Sequence, residues 1–352
     1  MRAEARAALL LLLAALIAGC GSGEVPVYTT QFPAFGTRVD LSIVGIQRER
    51  AADAAANVER DFSFFDQVLR GHRAEHMLRI NQQLPTGEPF VVPPSFIPLL
   101  TRSQTLFSAS DGLFNPAMGR FFQLWGLDRP DPAADSPPDA AAIDALLAVR
   151  PTMSDLELDG IALRSDNAAV QLDFDAVATA YAMDLAVEAL RAQAVRNAMI
   201  NVGGDVRAIG SRSGRSWRLP VPRASGSGVI GVLDASGDAS LFTASAQRRN
   251  FRHRDQLYHA VLDPRTGRPA CGVLSATVLY QGDGLTAAAA AHALMIAGPE
   301  DWPRIAGRMG IDHVLLIDED GRLQMTPAMA DLITLLDTKA EQVIRSPLEP
   351  AS

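Results

Sequence analysis

Apolar residues recur along this chain at the spacings of strands and helices. Residues 37–44 alternate between apolar and polar side chains, which predicts a strand with one buried face. Over residues 48–69 and 94–109 the apolar positions fall three or four apart, as on one face of a helix. An alanine-rich stretch over residues 175–194 predicts a third long helix. The first half of the chain thus combines strand and helix signals without an internal repeat.

The second half begins with a group of short strand signals. Two short strands are predicted within residues 155–174, and others at 198–202, 206–209, 217–221, 229–233, 241–244, 274–280, 313–317 and 322–326. Helices are predicted over residues 285–297, 301–309 and 327–337, and an exposed loop over the proline- and aspartate-rich residues 127–140. Because the strands are grouped and do not alternate strictly with helices, the pattern predicts an α+β fold. We expect mixed, largely antiparallel sheets with flanking helices.

The N-terminal segment indicates where the protein is located. Residues 7–18 form an uninterrupted apolar run, which is shorter than the roughly 20 residues of a membrane-spanning helix and is typical of a signal peptide. Ile17-Ala18-Gly19-Cys20 resembles a bacterial lipobox, in which the cysteine is lipidated. The alternative is an ordinary secretory signal with an unmodified cysteine. We predict a signal peptide over residues 1–19 and a tether over 20–29.

Lipidation of Cys20 would anchor the chain to a bacterial membrane, facing the periplasm. The next residue is Gly21 and not aspartate, which favours the outer membrane. The remaining chain is predicted to form one domain over residues 30–340 and a tail over 341–352.

Charge and cysteine content exclude some classes of protein. The formal net charge is −8, Lys339 is the only lysine, and no basic cluster is present, which argues against nucleic-acid binding. Cys271 is the only cysteine besides Cys20, so with Cys20 lipidated neither an intramolecular disulfide nor a CxxC metal site is possible.

A polar turn from Asp263 to Pro269 follows the apolar residues 258–262. Pro264 restricts the backbone, and Thr266-Gly267 allows a reversal with positive φ. The turn brings together a carboxylate, two guanidinium groups and a hydroxyl, which suits a phosphate-bearing ligand. The alternative is a tight hairpin with solvated arginines.

Four other segments combine glycine or polar residues with apolar runs: 35–37, 112–126, 172–175 and 201–205. Asp173 and Asp175 lie where a strand gives way to a helix, and one of them is expected either to bind a ligand or to cap the helix. Gly203-Gly204 indicates either close approach of a ligand or a bulge. No GxGxxG or Walker sequence is present, which argues against a Rossmann or P-loop site.

In this order the segments resemble the bacterial FAD:protein FMN transferase family, ApbE. The motifs and their counterparts are Met-Gly-Thr at 35–37, Phe-Asp-Pro-Thr-Val-Gly…Leu-Trp-Gly at 114–126, Leu-Asp-Leu-Gly-Gly-Ile-Ala-Lys-Gly-Tyr-Ala-Val-Asp at 172–184, Val-Gly-Gly-Asp-Ile-Arg-Ala-x-Gly at 201–210, and Asp-Pro-x-Thr-Gly-x-Pro at 263–269. The resemblance extends over nearly the whole chain after the tether and implies the family's fold.

The resemblance also implies a reaction. Enzymes of this family bind FAD with Mg²⁺ and transfer FMN to a Thr or Ser hydroxyl of an extracytoplasmic protein, typically a subunit of a respiratory redox pump, with release of AMP. Position by position, it implies FAD binding by these residues: Phe35, Leu113, Phe114, Asn115, Asp173, Thr179 and Val261. It places the main chain of Ala176 and the side chain of His292 near a divalent metal, and it implies catalytic roles for His259 and Asp263.

Several matched positions depart from the motifs. The family's metal-binding helix has Asp and Thr four residues apart, where this chain has Ala288 and His292. A methyl group cannot bind Mg²⁺, and imidazole suits a transition metal better. Asp283 is the nearest carboxylate upstream on that segment. Asp175, which is new relative to the motif, is predicted to form a different metal site together with His292.

Other departures concern the expected base and the substrate contacts. The family's histidine three residues before the turn corresponds to Ala260, so His259 serves only if a bulge restores its direction. Thr179 replaces a lysine, Asp175-Ala176 replaces Gly-Gly, and residues 245–248 are Ser-Ala-Gln-Arg in place of Ser-Gly-Asp-Tyr.

Three functions follow from these observations. The first is a lipid-anchored FMN transferase acting on a redox protein. The second is a catalytically degenerate, flavin-binding or flavin-scavenging periplasmic lipoprotein. The third is a lipoprotein that uses the same fold to assemble a redox complex.

Overall fold

The computed structural model describes residues 25–69, 75–128, 136–336 and 339–348. The predicted signal peptide, Cys20 and the first half of the predicted tether lie outside these residues. Within them, no helix combines the length and apolar character needed to cross a bilayer.

Helices and short strands are interleaved along the chain. The helices are α1 (Arg48–Leu69), α2 (Glu75–Gln83), α3 (Ile97–Ala109), α4 (Gly119–Leu124), α5 (Ala140–Val149), α6 (Asp175–Ala192), α7 (Gly284–Met309) and α8 (Pro327–Leu332). The strands are β1 (Val27–Ala34), β2 (Thr37–Val44), β3 (Phe90–Val91), β4 (Leu156–Asp159), β5 (Ala162–Ser165), β6 (Ala198–Val202), β7 (Asp205–Ile209), β8 (Trp217–Pro222), β9 (Val229–Ala235), β10 (Ala239–Ser245), β11 (Asn250–His253), β12 (Gln256–His259), β13 (Leu262–Asp263), β14 (Arg268–Pro269), β15 (Val273–Gln281), β16 (His313–Asp318), β17 (Leu323–Met325), β18 (Ile333–Leu335) and β19 (Gln342–Ile344).

One large sheet organises the fold. Its order is β1-β2-β6-β7-β10-β15-β16-β17-β19, and all pairs are antiparallel except β17 with β19. Its residues alternate between two apolar layers, because successive side chains of a strand point to opposite faces. On β10, for example, Leu241 packs on one face and Phe242 on the other. Helices α1, α6 and α7 cover the Phe242 face, and the small sheet β18-β9-β8 covers the Leu241 face.

A buried ion pair joins α6, α7 and the large sheet. Asp184 of α6 accepts a bond from Arg207 Nε of β7 at 2.9 Å, and their side chains are 8% and 3% exposed. The same carboxylate accepts the main-chain N–H groups of Gly284 and Leu285 at 2.7 and 2.9 Å. It therefore caps the first turn of α7 with a charge that is favourable at a helix N-terminus.

The turn at 263–269 is a structural junction. The Asp263 carboxylate accepts the main-chain N–H and Nε–H of Arg265 at 2.8 and 2.9 Å, and Arg265 Nη2 donates to the carbonyl of Ile296 at 2.9 Å. That carbonyl lies just before Gly298, whose φ of 82° and ψ of 177° break α7 into two helical parts. On the other side of the turn, Trp125 Nε1 donates to the carbonyl of Gly267 at 2.7 Å.

Most predicted elements are confirmed, and the α+β class with largely antiparallel sheets is confirmed as well. The helix predicted over residues 48–69 has the predicted ends. The helix predicted over 327–337 is wrong beyond Leu332, because residues 333–335 pair with β9 as strand β18. Residues 27–29, expected in the tether, belong to β1, and residues 342–344 of the expected tail form β19.

We expect Gly267→Ala to destabilise the protein more than a matched glycine substitution in an open turn. Gly267 has φ +64°, and a Cβ there would lie 2.6 Å from the Phe121 ring and 2.9 Å from Ile143. The positive φ costs an alanine about 1–2 kcal/mol, and the overlap adds about 1–3 kcal/mol. Chemical unfolding would measure both variants.

Gly214→Ala is the control, because Gly214 has φ +80° but no heavy atom within 4 Å of an added Cβ. The difference between the two variants isolates the overlap with Phe121. Equal losses of stability would show that the turn does not pack against α4 as the structure has it.

Candidate functional site

A cavity of about 390 Å³ opens between the helical layer and one end of the large sheet. This volume lies in the range of small-molecule sites, about 300–1,000 Å³. Its walls come from the β1–β2 turn, the segment before α4, the start of α6, the segment after β10, the break between β12 and β13, and α7. The lining residues include Phe35, Leu113, Phe114, Asn115, Phe122, Asp173, Asp175, Ala176, Thr179, Ser245, Arg248, Arg249, Ala260, Val261 and His292.

The β1–β2 turn provides an aromatic wall. Phe35 and Gly36 are the two turn residues, with φ of 52° and 70°. The Phe35 N–H donates to Asp66 Oδ2 at 3.0 Å, and the Phe35 ring packs edge-on against Phe62 with centroids 5.9 Å apart. Both Asp66 and Phe62 lie on α1, so this helix holds the Phe35 turn at the cavity.

The segment before α4 is fixed by local hydrogen bonds. The Phe114 N–H donates to Ser110 Oγ at 3.0 Å. Asn115 Nδ2 donates to the carbonyl of Pro151 at 2.9 Å, and Asn115 Oδ1 accepts the N–H of Ala117 at 3.2 Å. Both the nitrogen and the oxygen of the Asn115 amide therefore hold main-chain groups of the cavity wall in place.

The start of α6 brings two carboxylates to the cavity. Asp173 Oδ1 accepts the N–H of Asp175, the first residue of α6, at 2.9 Å, while Phe174 occupies the N-cap position, and Asp173 also lines the cavity. Burial, reinforced by the charge of Asp175, raises the pKa of Asp173 to about 7. Ala176 and Thr179 follow on the same side of α6, one turn apart. Asp173 therefore bonds the first N–H of α6 without being its N-cap, and its place in a ligand site remains a prediction.

His292 lies on α7 with one ring nitrogen engaged. Because a carbonyl oxygen only accepts, Nδ1–H must donate to Ala288 O, at 2.9 Å. Burial lowers the pKa of His292, which favours the neutral ring. Nε2 then has a lone pair and is an acceptor at the cavity.

Two consecutive arginines after β10 also line the cavity. Arg248 makes a bidentate ion pair with Asp205, with Nη1–Oδ2 and Nη2–Oδ1 distances of 2.5 and 2.9 Å. Arg249 pairs with Asp175, and its guanidinium carbon lies 5.6 Å from the centroid of the Phe122 ring. Sequence reasoning did not assign these arginines; the signal was the change from Tyr to Arg at position 248 of the motif.

The structure brings nine of the eleven predicted binding and catalytic residues to this one cavity: Phe35, Leu113, Phe114, Asn115, Asp173, Ala176, Thr179, Val261 and His292. The pair Gly203-Gly204 is not among the lining residues. It forms the tight turn between β6 and β7, with φ of 60° and 101°.

His259 and Asp263, the two predicted catalytic residues, do not line the cavity. His259 Nδ1 accepts the N–H of Val261 at 3.3 Å, so its Nε2–H donates to the carbonyl of Ala270 at 3.0 Å. The chain breaks from strand geometry after His259, and this break places Ala260 and Val261 at the cavity instead. The carboxylate of Asp263 is occupied by Arg265. The structure thus gives both residues structural contacts and departs from the expectation of catalysis.

The cavity does not fit the Mg²⁺ that the resemblance implies. Ala288, which stands where the motif has a carboxylate, has only a methyl group and is not among the lining residues. His292 provides one imidazole nitrogen, and Arg248 and Arg249 place two cations on the cavity walls. Nor does the predicted pair of Asp175 with His292 form a metal site, because Asp175 is paired with Arg249. In the part of the chain that the structure describes, no three His, Cys, Asp or Glu residues converge as a metal site would require.

Asp283 does not replace the missing carboxylate either. It accepts the N–H of Thr286 at 2.8 Å as the cap of α7, and it pairs with Arg102. It is not among the residues that line the cavity.

Fold and cavity together define a class: an α+β protein with a preformed site that combines aromatic walls with paired charges. The family model described as the ApbE family matches residues 35–315. This chain belongs to the ApbE family.

Similar proteins support the assignment. A FAD:protein FMN transferase of Rhodobacter capsulatus is 36% identical over 312 residues, which are 88% of this chain and 58% of that protein. A FAD:protein FMN transferase of Vibrio cholerae is 26% identical over 315 residues, covering 87% of this chain and 91% of that protein. This chain therefore spans little more than half of the Rhodobacter relative. The crystal structure of the ApbE protein of Thermotoga maritima matches with a TM-score of 0.79 and 25% identity, over 87% of this chain and 99% of that one.

We expect Asp173→Asn to stabilise the protein at pH 8 but not at pH 4. The pKa of Asp173 is about 7 in the folded protein and near 3.8 in the unfolded chain. The folded protein therefore loses stability as the pH rises from about 3.8 through about 7. Asparagine cannot ionise and escapes this loss, which corresponds to about 4 kcal/mol once the pH is above 7. Thermal unfolding across this pH range measures the effect.

Asp159→Asn is the control, since Asp159 is exposed on β4 and its replacement removes one negative charge away from the cavity. A gain for Asp173→Asn that equals the gain of this control at pH 8 would contradict the raised pKa.

Proposed function

We propose that this protein is a FAD:protein FMN transferase that modifies a Thr or Ser hydroxyl of an extracytoplasmic redox protein. The observation that carries the proposal is the convergence of nine motif-matched residues on one cavity in a member of the ApbE family. The names of the Rhodobacter and Vibrio relatives support the same activity.

In the proposed reaction, the hydroxyl oxygen of the acceptor forms a bond to the phosphorus of the FMN half of FAD. The bond from that phosphorus to the bridging oxygen breaks, and AMP leaves with the bridging oxygen. The hydroxyl proton passes to a base. Catalysis of this type depends on positioning and on neutralising the phosphate charge.

Residues of the cavity suit these tasks. The rings of Phe35 and Phe114 and the side chain of Val261 offer apolar surface for a flat ring system. His292 is the proposed proton acceptor, because Nδ1–H is held by Ala288 and Nε2 is left with a lone pair at the cavity. His259 does not serve in this proposal, since both of its ring nitrogens have main-chain partners.

The cellular location is part of the proposal. The apolar run over residues 7–18 and Cys20 in a lipobox-like context support a lipid anchor on the periplasmic side of a membrane, with the outer membrane favoured. The proposed acceptor is a subunit of a redox protein in the same compartment, to which FMN becomes covalently attached.

A second candidate function is a flavin-binding lipoprotein that no longer transfers FMN. The observation that favours it is the methyl group of Ala288 at the position of a metal-binding carboxylate. Binding of FAD without AMP release would identify this function. If the protein binds no flavin at all, only the third hypothesis is left, a lipoprotein that uses this fold to assemble a redox complex.

We expect the protein to release AMP from FAD in the presence of a threonine-containing acceptor, which then carries covalent FMN. Chromatography of AMP and flavin fluorescence of the acceptor on a denaturing gel measure the two products. Release should be tested with Mg²⁺, with Mn²⁺ and with EDTA. Absence of AMP in all three conditions contradicts the proposed transferase.

Thr179→Trp fills the cavity from α6 and is expected to weaken FAD binding ~10-fold or more.

Thr105→Trp is the matched control for the cavity-filling variant. Thr105 is an exposed residue in the interior of α3, away from the cavity lining. If both variants bind FAD as the unaltered protein does, the cavity is not the flavin site.

We expect His292→Gln to reduce the rate of AMP release by about 100-fold, the scale of a lost general base. Glutamine retains a donor for the Ala288 carbonyl but offers no basic nitrogen, so FAD affinity should change much less than the rate. Single-turnover kinetics and FAD titration separate the two. His76→Gln, at an exposed position on α2, is the control. An equal loss in affinity and rate would assign His292 to binding and not to proton transfer.

A further inference from the structure

Arg248 and Arg249 are the cations of the cavity. Each is held by a carboxylate from another element: Arg248 by Asp205 at the start of β7, and Arg249 by Asp175 at the start of α6. The Phe122 ring beneath the Arg249 guanidinium adds a cation–π contact. These contacts set the positions of both guanidinium groups before any ligand arrives.

Neither guanidinium group uses all of its N–H donors in the bond to its carboxylate. A guanidinium has five N–H donors. The side-chain hydrogen bonds of Arg249 within the described residues use Nη1, and those of Arg248 use Nη1 and Nη2. Donors on Nε of both residues and on Nη2 of Arg249 remain for a ligand. Arginine also suits phosphate geometrically, because its planar fork can donate two parallel hydrogen bonds.

The cations occur together with a loss of metal ligands. Ala288 and His292 stand where the motif has a carboxylate and a hydroxyl, and Arg248 stands where it has a tyrosine. Two guanidinium groups carry the same formal charge as a divalent metal, and each of them is paired with one carboxylate, Asp205 or Asp175. Both changes concern the same cavity, since His292, Arg248 and Arg249 all line it.

We propose that the guanidinium groups of Arg248 and Arg249 take the place of the divalent cation and bind the diphosphate of FAD, so that FAD binding does not require Mg²⁺. The proposal rests on the proposed function for the identity of the ligand. The carboxylates of Asp175 and Asp205 act as partners that keep the two cations compensated while the cavity is empty.

The experiment is a fluorescence titration of the purified full chain with FAD, once in EDTA and once in excess Mg²⁺. We expect the same dissociation constant within about twofold in both conditions, since a factor of two is well under 1 kcal/mol. Riboflavin, which has no phosphate, is titrated in parallel as the probe for the ring site alone.

Arg248→Gln and Arg249→Gln are each expected to weaken FAD binding about 10–100-fold, the range for a charged hydrogen bond. Riboflavin binding should change little. Arg252→Gln is the matched control: Arg252 lies on β11, close in sequence, and its Nη1 donates to the carbonyl of Asp255 away from the cavity. It should leave both affinities unchanged.

Removal of Arg249 alone leaves Asp175 without this cation. The double variant Asp175→Asn/Arg249→Gln removes both charges of this ion pair, so it leaves the net charge of the cavity unchanged. We expect the same loss of FAD affinity in the double variant, with a melting temperature close to that of the unaltered protein.

Several outcomes would overturn the proposal. FAD binding that requires Mg²⁺ and disappears in EDTA would do so while leaving the proposed transferase intact. Unchanged FAD affinity in both arginine variants, or equal losses for FAD and riboflavin, would also overturn it. If the unaltered protein binds FAD in neither condition, the proposed function fails along with it.

Discussion

One buried carboxylate holds the two helices that line the cavity. Asp184 binds Arg207 of the central sheet and the first two main-chain N–H groups of α7. Removal of one partner from such a buried pair typically costs about 3–5 kcal/mol, because the other charge is left without compensation. His292 lies about two turns along α7 from this anchor. The distance between α6 and α7, and with it the width of the cavity, depends on this interaction.

The turn at 263–269 supports the site without being part of it. Its carboxylate is used by Arg265, which reaches the end of the first part of α7, and its Gly267 carbonyl is bonded to Trp125. The family's motif therefore marks a junction between α4 and α7. Similarly, His259 is held by two main-chain groups, and the break that follows it brings Val261 to the cavity wall.

Sequence patterns predicted the elements that bury a regular apolar face, such as α1 and β6. They did not predict β18 or β19, since these three-residue strands at sheet edges have no periodicity and are defined by their partners β9 and β17. For the site, motif order located the cavity residues because it reflects common ancestry. Motif order did not reveal which side chains already have hydrogen-bond partners within the protein. His259 and Asp263 differ from the cavity residues only in where their side chains point and in the groups that they bind, and the sequence shows neither. The role of Arg249 depends on a contact with Asp175, 74 residues earlier.

The pairing of Asp175 with Arg249 explains a departure from the motif that would be unfavourable by itself. A carboxylate at position 175, where the motif has glycine, adds a negative charge to a cavity expected to receive a diphosphate. Beside Arg249, however, the same carboxylate compensates a cation that would otherwise lie partly buried without a partner. Burial raises the pKa of Asp173 to about 7, so about half of these carboxyl groups are protonated at neutral pH, which reduces the repulsion that Asp173 adds. The acidic change at position 175 and the basic residues after β10 therefore belong to one arrangement, in which cations of the chain itself meet the ligand's charge.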